Sequence, residues 1–190
     1  MSERPSIPRF DVSRAYPRQV EAGDRSLEVR PMSRADVDAV VAMARALPQE
    51  DMLFLMSDIT RPEVVGDWVD AIEAGRNFTL VAVDGGRLAG YGSLFRNDTL
   101  WTRHLAEIRI IVSPEHRGRG LGGALAGELL EVAREARLSK IVARMHRDQV
   151  GARNVFRRLG FNLESMLADW VIDLEGNTHD LVIMAYEFGA

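Results

Sequence analysis

The sequence predicts a single α/β domain, and three observations carry the prediction. Segments with helical periodicity and β-rich segments follow one another in the order β-α-α-β-β-β-α-β-α-β-β. Hairpin punctuation joins two pairs of the β-rich segments. The length of 190 residues at 46% hydrophobic content is enough for one substantial core and short for two.

Residues 1–24 interrupt any regular pattern with Pro5, Pro8 and Pro17, so they read as a flexible arm ahead of a domain over 25–190. The arm's apolar Ile7, Phe10, Val12 and Tyr16 are suited to docking on a partner subunit. Residues 27–32 predict the first strand. Ser33 is a fitting N-cap for a helix over 35–47, in which Val37, Val40, Val41 and Ala44 share a face and Pro48 ends the run. Pro62 opens a second helix, with Val65, Trp68, Val69 and Ile72 on one side and Gly75 as its stop. The intervening 49–61 segment has no clear period. Its Glu50, Asp51 and Asp58 suit a cationic acceptor or simply a solvated surface. Its run from Met52 to Met56 reads as core before it reads as a pocket or a dimer contact. Residues 77–83 and 88–95 are strands around Asp84-Gly85-Gly86-Arg87, and 105–112 is a strand closed by Ser113-Pro114. A helix over 121–137, a strand over 140–145 and a helix over 149–159 follow, the last terminated by Gly160. Residues 161–174 and 181–188 close the chain as a hairpin turned by Glu175-Gly176-Asn177.

The informative segment is Ile110-Ile111-Val112-Ser113-Pro114-Glu115-His116-Arg117-Gly118-Arg119-Gly120-Leu121-Gly122-Gly123-Ala124-Leu125. Glycine costs roughly 1 kcal/mol against alanine inside a helix, and here three glycines stand at or inside a helix start. Such glycines let a ligand approach the backbone, and the free amides of a first helical turn form an anion site suited to phosphate. Spacing alone also fits a tight turn with a small-residue helix packed on a sheet. A Walker loop is excluded, because Gly122-Gly123-Ala124 offers neither the lysine nor the hydroxyl that such a loop needs. A dinucleotide fold is disfavoured, since its glycines follow a first strand and these follow the fourth predicted one.

Arg117, Gly120 and Gly122 match the Arg/Gln-x-x-Gly-x-Gly/Ala signature of GCN5-related N-acetyltransferases, after a strand ending in Val-Ser-Pro. Downstream, Ala152 to Phe161 resembles the family's Ala-x-x-x-Tyr-x-x-x-Gly-Phe hallmark, and the order of elements from Leu27 to Phe188 is similar to its fold. The resemblance implies a mixed, mostly antiparallel sheet flanked by helices, with the fourth predicted strand splayed from the fifth to admit acetyl-CoA. It implies pantetheine contacts at Ile110, Ile111 and Val112, and pyrophosphate on the amides of Arg117, Gly118, Arg119, Gly120, Leu121 and Gly122. Gln149 stands where relatives often carry a cofactor-contacting asparagine.

The reaction so implied is direct acetyl transfer to a primary amine of a small molecule, amino acid or peptide. A lysine-like amine is mostly protonated at pH 7, a deficit of roughly 4 to 5 kcal/mol, so a base or a water relay is required. Glu107 matches the position of a glutamate base in many relatives; its other reading is a strand carboxylate paired with Arg109 on the same face. His104 is a second, weaker choice of base. Phe156 occupies the place of the family's usual tyrosine acid and has no hydroxyl, which leaves Tyr186, Tyr91 or direct thiolate release. That departure also sustains a different reading, a non-catalytic acyl-CoA sensor or interaction module.

Composition bounds the rest. With 24 basic against 28 acidic residues the net charge is -4, which argues against nucleic acid or an anionic membrane as a partner. A nucleic-acid reading of Arg144, Arg147, Arg153, Arg157 and Arg158 meets the same objection. There is no cysteine, and His104, His116, His146 and His179 show no short ligand spacing, so no metal is expected. Nothing resembles a signal peptide or membrane helix, and a cytoplasmic protein is expected. Homodimerisation, common in relatives, is carried as an expectation.

Overall fold

The computed structural model describes residues 9–52, 55, 57–96, 99–173 and 175–189, with the side chain of residue 50 excepted. Ile7, Leu53, Phe54 and Met56, named above, lie outside the described residues. Among the described residues, eight strands form one sheet: β1 (Arg18–Ala22), β2 (Arg25–Pro31), β3 (Asn77–Asp84), β4 (Arg87–Phe95), β5 (Leu105–Val112), β6 (Lys140–His146), β7 (Asn162–Ile172) and β8 (Thr178–Glu187). The helices are α1 (Val37–Arg45), α2 (Gln49–Met52), α3 (Pro62–Glu73), α4 (Leu121–Glu135) and α5 (Val150–Arg158). The spatial order is β1-β2-β3-β4-β5-β6-β8-β7, and β5 with β6 is the parallel pair among antiparallel ones.

The period-2 alternation of each strand divides the core into two layers. On one face Ala106 and Ile108 of β5 and Ile141, Ala143 and Met145 of β6 pack with Leu121, Leu125 and Leu129 of α4 and with Phe156 of α5. On the other face Val81 of β3, Tyr91 of β4 and Ile111 of β5 meet Val40, Val41 and Ala44 of α1 and Val65 and Val69 of α3. Glu107, Arg109 and Ile111, and likewise Val142, Arg144 and His146, therefore point to the α1/α3 side.

The segment expected as a free arm is docked on its own chain where it is described. Phe10 N–H donates to Gly75 O at 3.0 Å, and Arg14 pairs with Glu128 of α4 at 3.2 Å. Tyr16 packs on Phe78, and residues 18–22 add β1 to the edge of β2 in register from Arg18↔Val29 to Ala22↔Arg25. Prolines at 8 and 17 obscured this in the sequence, yet Pro17 stops just short of the strand, and Val20 and Ala22 bring apolar surface to α4. The segment between α1 and α3 holds the short α2, and Asp36 caps the turn before α1 by accepting from Ser33 N–H (2.8 Å) and from Arg30 (2.7 and 2.9 Å). No helix among the described residues is long and apolar enough to cross a membrane.

Candidate active site

The site is a consequence of strand divergence. β5 and β6 pair only at Leu105↔Lys140, Ala106↔Ile141 and Glu107↔Val142, after which they part, β5 running to Val112 beside β4 and β6 to His146 beside β8. On the far side of β5 the pairing with β4 is unbroken from Phe95↔Glu107 to Gly90↔Val112, so the gap opens on one edge of β5 only. Gly90 and Gly92 permit the close β4–β5 approach: a Cβ at Gly90 would lie 2.6 Å from Ile111 O, and one at Gly92 would lie 2.8 Å from the side chains of Ile110 and Leu129.

A cleft of about 1420 Å³ runs through this gap. Its walls come from both faces of the sheet. Ile108, Ile110, Met145, Gln149, Ala152 and Phe156 line it on the α4/α5 side, and Glu107, Arg109, Ile111, Val142, Arg144 and His146 line it on the α1/α3 side. Trp68, Tyr91, Phe95 and Trp170 add aromatic surface on the latter side. The sheet is thus perforated between β5 and β6, and the cleft is lined from both of its faces.

The glycine-rich loop stands at the end of the free stretch of β5. Gly118 (φ 72°) and Gly120 (φ 92°) take the left-handed conformation that reverses the chain into α4. The helical ladder begins with Ala124 N–H donating to Gly120 O at 3.0 Å, so the amides of Leu121, Gly122 and Gly123 have no acceptor among the described residues. A Cβ at Gly122 would only touch Ile110 and Val112 at 3.7 Å, so the protein itself does not require glycine there. Below the loop, buried His116 shares a hydrogen bond with Ser113 Oγ (2.7 Å) and one with Asp84 (3.0 Å), which also pairs with Arg25. Those two partners, His116 first, hold the Asp84 carboxyl below its usual range. The loop's two arginines are bound to the protein: Arg117 to Val112 O (3.0 Å) and Asp51 (2.6 Å), Arg119 to Asp24 (2.5 Å).

The expected catalytic groups are placed as follows. Glu107 lies on the α1/α3 side at the last paired position. It accepts from Arg109 Nε (2.9 Å) and Nη2 (2.8 Å) and pairs with Arg144 at 3.4 Å, while Arg109 lies 5.0 Å over the Phe95 ring. His104 is exposed and outside the cleft lining. Phe156 packs edge-on against Phe161 at 4.9 Å. Tyr91 lines the cleft with its hydroxyl's pKa raised by burial, and Tyr186 packs between Phe161 and Phe188 away from it. Gln149 lines the cleft and accepts from His146 N–H at 3.0 Å. Of the basic residues grouped above, Arg144 pairs with Glu107 and Arg147 with Asp180.

Two histidines that showed no ligand spacing in the sequence meet in space. His146 and His179 stack edge to face at 4.5 Å on the cleft wall, and their nitrogens lie within 4.8 Å of an Asp148 oxygen. One nitrogen of each ring is engaged by a protein group: His146 Nδ1 accepts from Asp148 N–H (3.1 Å), and His179 Nε2 bonds Asp173 Oδ2 (2.8 Å).

The sequence profile of the acetyltransferase (GNAT) family matches residues 49–161, more than half of the chain. The chain belongs to the GNAT family. Solved GNAT folds superpose over most of its length. They include a ribosomal-protein-alanine N-acetyltransferase from Brucella melitensis, at 23% identity and TM-score 0.74 over 84% of this chain and 99% of that one. A putative acetyltransferase from Salmonella typhimurium, solved with its cofactor acetyl-CoA, shares 21% identity at TM-score 0.77, covering 87% and 96%. A phosphinothricin acetyltransferase from Sinorhizobium meliloti in complex with acetyl-CoA shares 24% at TM-score 0.73, covering 86% and 89%. No curated protein matches in sequence.

Proposed function

We propose that this GNAT protein transfers the acetyl group of acetyl-CoA directly to a primary amine, and the observation that carries the reading is the cleft through the sheet where β5 leaves β6. The amides of residues 118–122 are suited to the pyrophosphate, aided by the α4 dipole, whereas the Arg117 amide, expected to join them, donates to Pro114 O (3.3 Å). The unpaired edge of β5 at Ile110 and Val112 offers strand-like hydrogen bonds to pantetheine, with Gln149 and Phe156 across the gap, while the Ile111 carbonyl, expected among these contacts, faces Gly90 of β4. A β5 amide donating to the thioester oxygen would stabilise the tetrahedral oxyanion without a special side chain. Phe156 supplies no acid, so sulfur leaves as thiolate and is protonated from water; a thiol with an ordinary pKa near ~8.5 makes this a modest barrier at neutral pH. The acceptor enters on the α1/α3 side, where Glu107, Arg109, Arg144 and the aromatic residues stand. Both Glu107 oxygens are engaged by arginines, and we assign it the holding of those two side chains at the neck of the cleft.

Calorimetry of acetyl-CoA against the wild type and a Gly120→Glu/Gly122→Glu double variant tests the cofactor seat. The wild type should bind and the folded variant should not, since two carboxylates would face the phosphates. Equal binding by both would remove residues 117–122 from the site. Binding without turnover over a broad amine panel would instead make the protein an acyl-CoA sensor.

A further inference from the structure

Resting on the acetyl-transfer reading, we infer that His179, oriented by Asp173, is the base that takes the proton from the acceptor amine. Three observations converge on it. First, His179 shares a face with Glu107. On β8 the even residues Val182 and Met184 enter the α4/α5 core, so the odd residues face the other way, and Leu181 of β8 pairs with His146 of β6. His179 and His146 accordingly line the same cleft, on the side open to an acceptor.

Second, the imidazole is held in one tautomer. Asp173, the residue after β7, accepts from His179 Nε2 at 2.8 Å, which places the ring proton on Nε2 and leaves the lone pair on Nδ1. Asp173 is itself fixed by the amides of Glu175 (2.9 Å) and Asn177 (2.8 Å) and by the Asn177 side chain (3.1 Å). The His179 bond, with these donors, holds its carboxyl far below the usual range. A fixed carboxylate on one nitrogen and a lone pair on the other is the geometry of an oriented base. Glu107, by contrast, has both oxygens committed to arginines.

Third, the adjoining wall carries a strained irregularity. The β7–β8 register shifts between Leu167 and Val171, and Asp169 there has φ 53°, a left-handed conformation costly for a non-glycine residue. Asp169 is tied by Thr178 Oγ1 (2.6 Å) and by its own amide to Asp180 (3.3 Å), and the bulge delivers Trp170 and Val171, the latter paired with His179, to the cleft. Strain of this kind persists where the surroundings over-determine it, and here it shapes the wall beside His179.

The step balances without another reagent. The acceptor ammonium gives one proton to His179 Nδ1, forming an imidazolium against Asp173. The freed amine pair forms the N–C bond at the thioester carbonyl, and the C–S pair leaves on sulfur. The second N–H proton passes through water to the thiolate, and His179 returns its proton to solvent. Around His179 the charged and titratable groups are Asp173 after β7, His146, Arg147 and Asp148 at the end of β6, and Asp180 on β8.

Single-turnover acetyl transfer to a polyamine, an α-amino acid and a peptide N-terminus, across pH 6–10, tests this with wild type, His179→Gln, Asp173→Asn and the exposed control His104→Gln. Loss of an oriented base is expected to lower the His179→Gln rate at pH 7 by about 10²–10⁴-fold, with acetyl-CoA affinity by calorimetry unchanged and added imidazole restoring part of the rate. The deficit should shrink towards pH 10, where the amine loses its own proton, and His104→Gln should match wild type. Asp173→Asn should fall between. A His179→Gln rate within about threefold of wild type at every pH overturns the assignment while leaving acetyl transfer intact. Failure of the wild type to bind acetyl-CoA or acetylate any amine overturns the transferase reading itself and His179 with it.

Discussion

Glu107 shows how much a single side chain's neighbours decide. Its position on β5 matches a family base, and Arg109 from its own strand and Arg144 from β6 both pair with its carboxylate at the last paired rung of β5 and β6. A clamp and a base respond differently to Glu107→Gln. Losing charge-assisted hydrogen bonds should loosen the two arginines and lower kcat/KM by about tenfold, equivalent to about 1.4 kcal/mol, with the shape of the pH profile unchanged. A drop of 10²-fold or more that recovers at high pH would make Glu107 the base and displace His179. The comparison is made with steady-state kinetics of the two glutamine variants side by side.

At the scale of elements, the cleft depends on β5 being held firmly on one edge and released on the other. Glycines in β4 secure the held edge. Gly90→Ala would put a methyl group 2.6 Å from the Ile111 carbonyl oxygen, and backbone cannot yield as a side-chain tip can. The expected outcome is a loss of about 1–3 kcal/mol, read by denaturant unfolding, with a parallel loss of acetyl-CoA affinity as β5 shifts. An alanine variant as stable as wild type would mean that the β4–β5 contact is looser than this geometry. Glycines 118 and 120 do a different task, reversing the chain so that α4 starts directly beyond the free stretch of β5.

For the whole molecule, residues 10–22 decide how far the domain extends. Ser13 N–H (3.0 Å) and the Arg14 guanidinium tie this segment to Glu135 and Glu128 of α4, and Tyr16 lies against Phe78 near Glu128. Burial first, then the Glu128 charge, push the Tyr16 hydroxyl up to about 12. For an acid whose folded value is raised, the unfolded chain ionises first, near ~10. Its contribution to stability is therefore intact below that pH and is lost as pH rises towards the folded value. Thermal unfolding from pH 8 to pH 12 should show the wild type losing stability more steeply above pH 10 than Tyr16→Phe, which keeps the ring and lacks the titration. Parallel curves would show that this segment detaches before Tyr16 ionises.

Elements whose signals are local were legible in the sequence. Strand β5 occupies the predicted residues 105–112, and α4 begins at the predicted Leu121, because Ser113-Pro114 and the following glycines impose backbone geometry wherever the chain goes. The same glycines, with Arg117, made the acyl-CoA family legible. Signals that need partners from afar were not legible. β1 depends on β2 and α4 to cover it, and its neighbouring prolines masked it. The imidazole pair joins residues 33 positions apart, because Leu181↔His146 sets the register of β8 on β6 while the β7 bulge shapes the wall beside it. Arg144 reaches Glu107 only because β5 and β6 run parallel up to that rung. Local dihedral preference writes the elements into the sequence, whereas the chemistry of the acceptor side arises from side chains that only strand register and face alternation bring together.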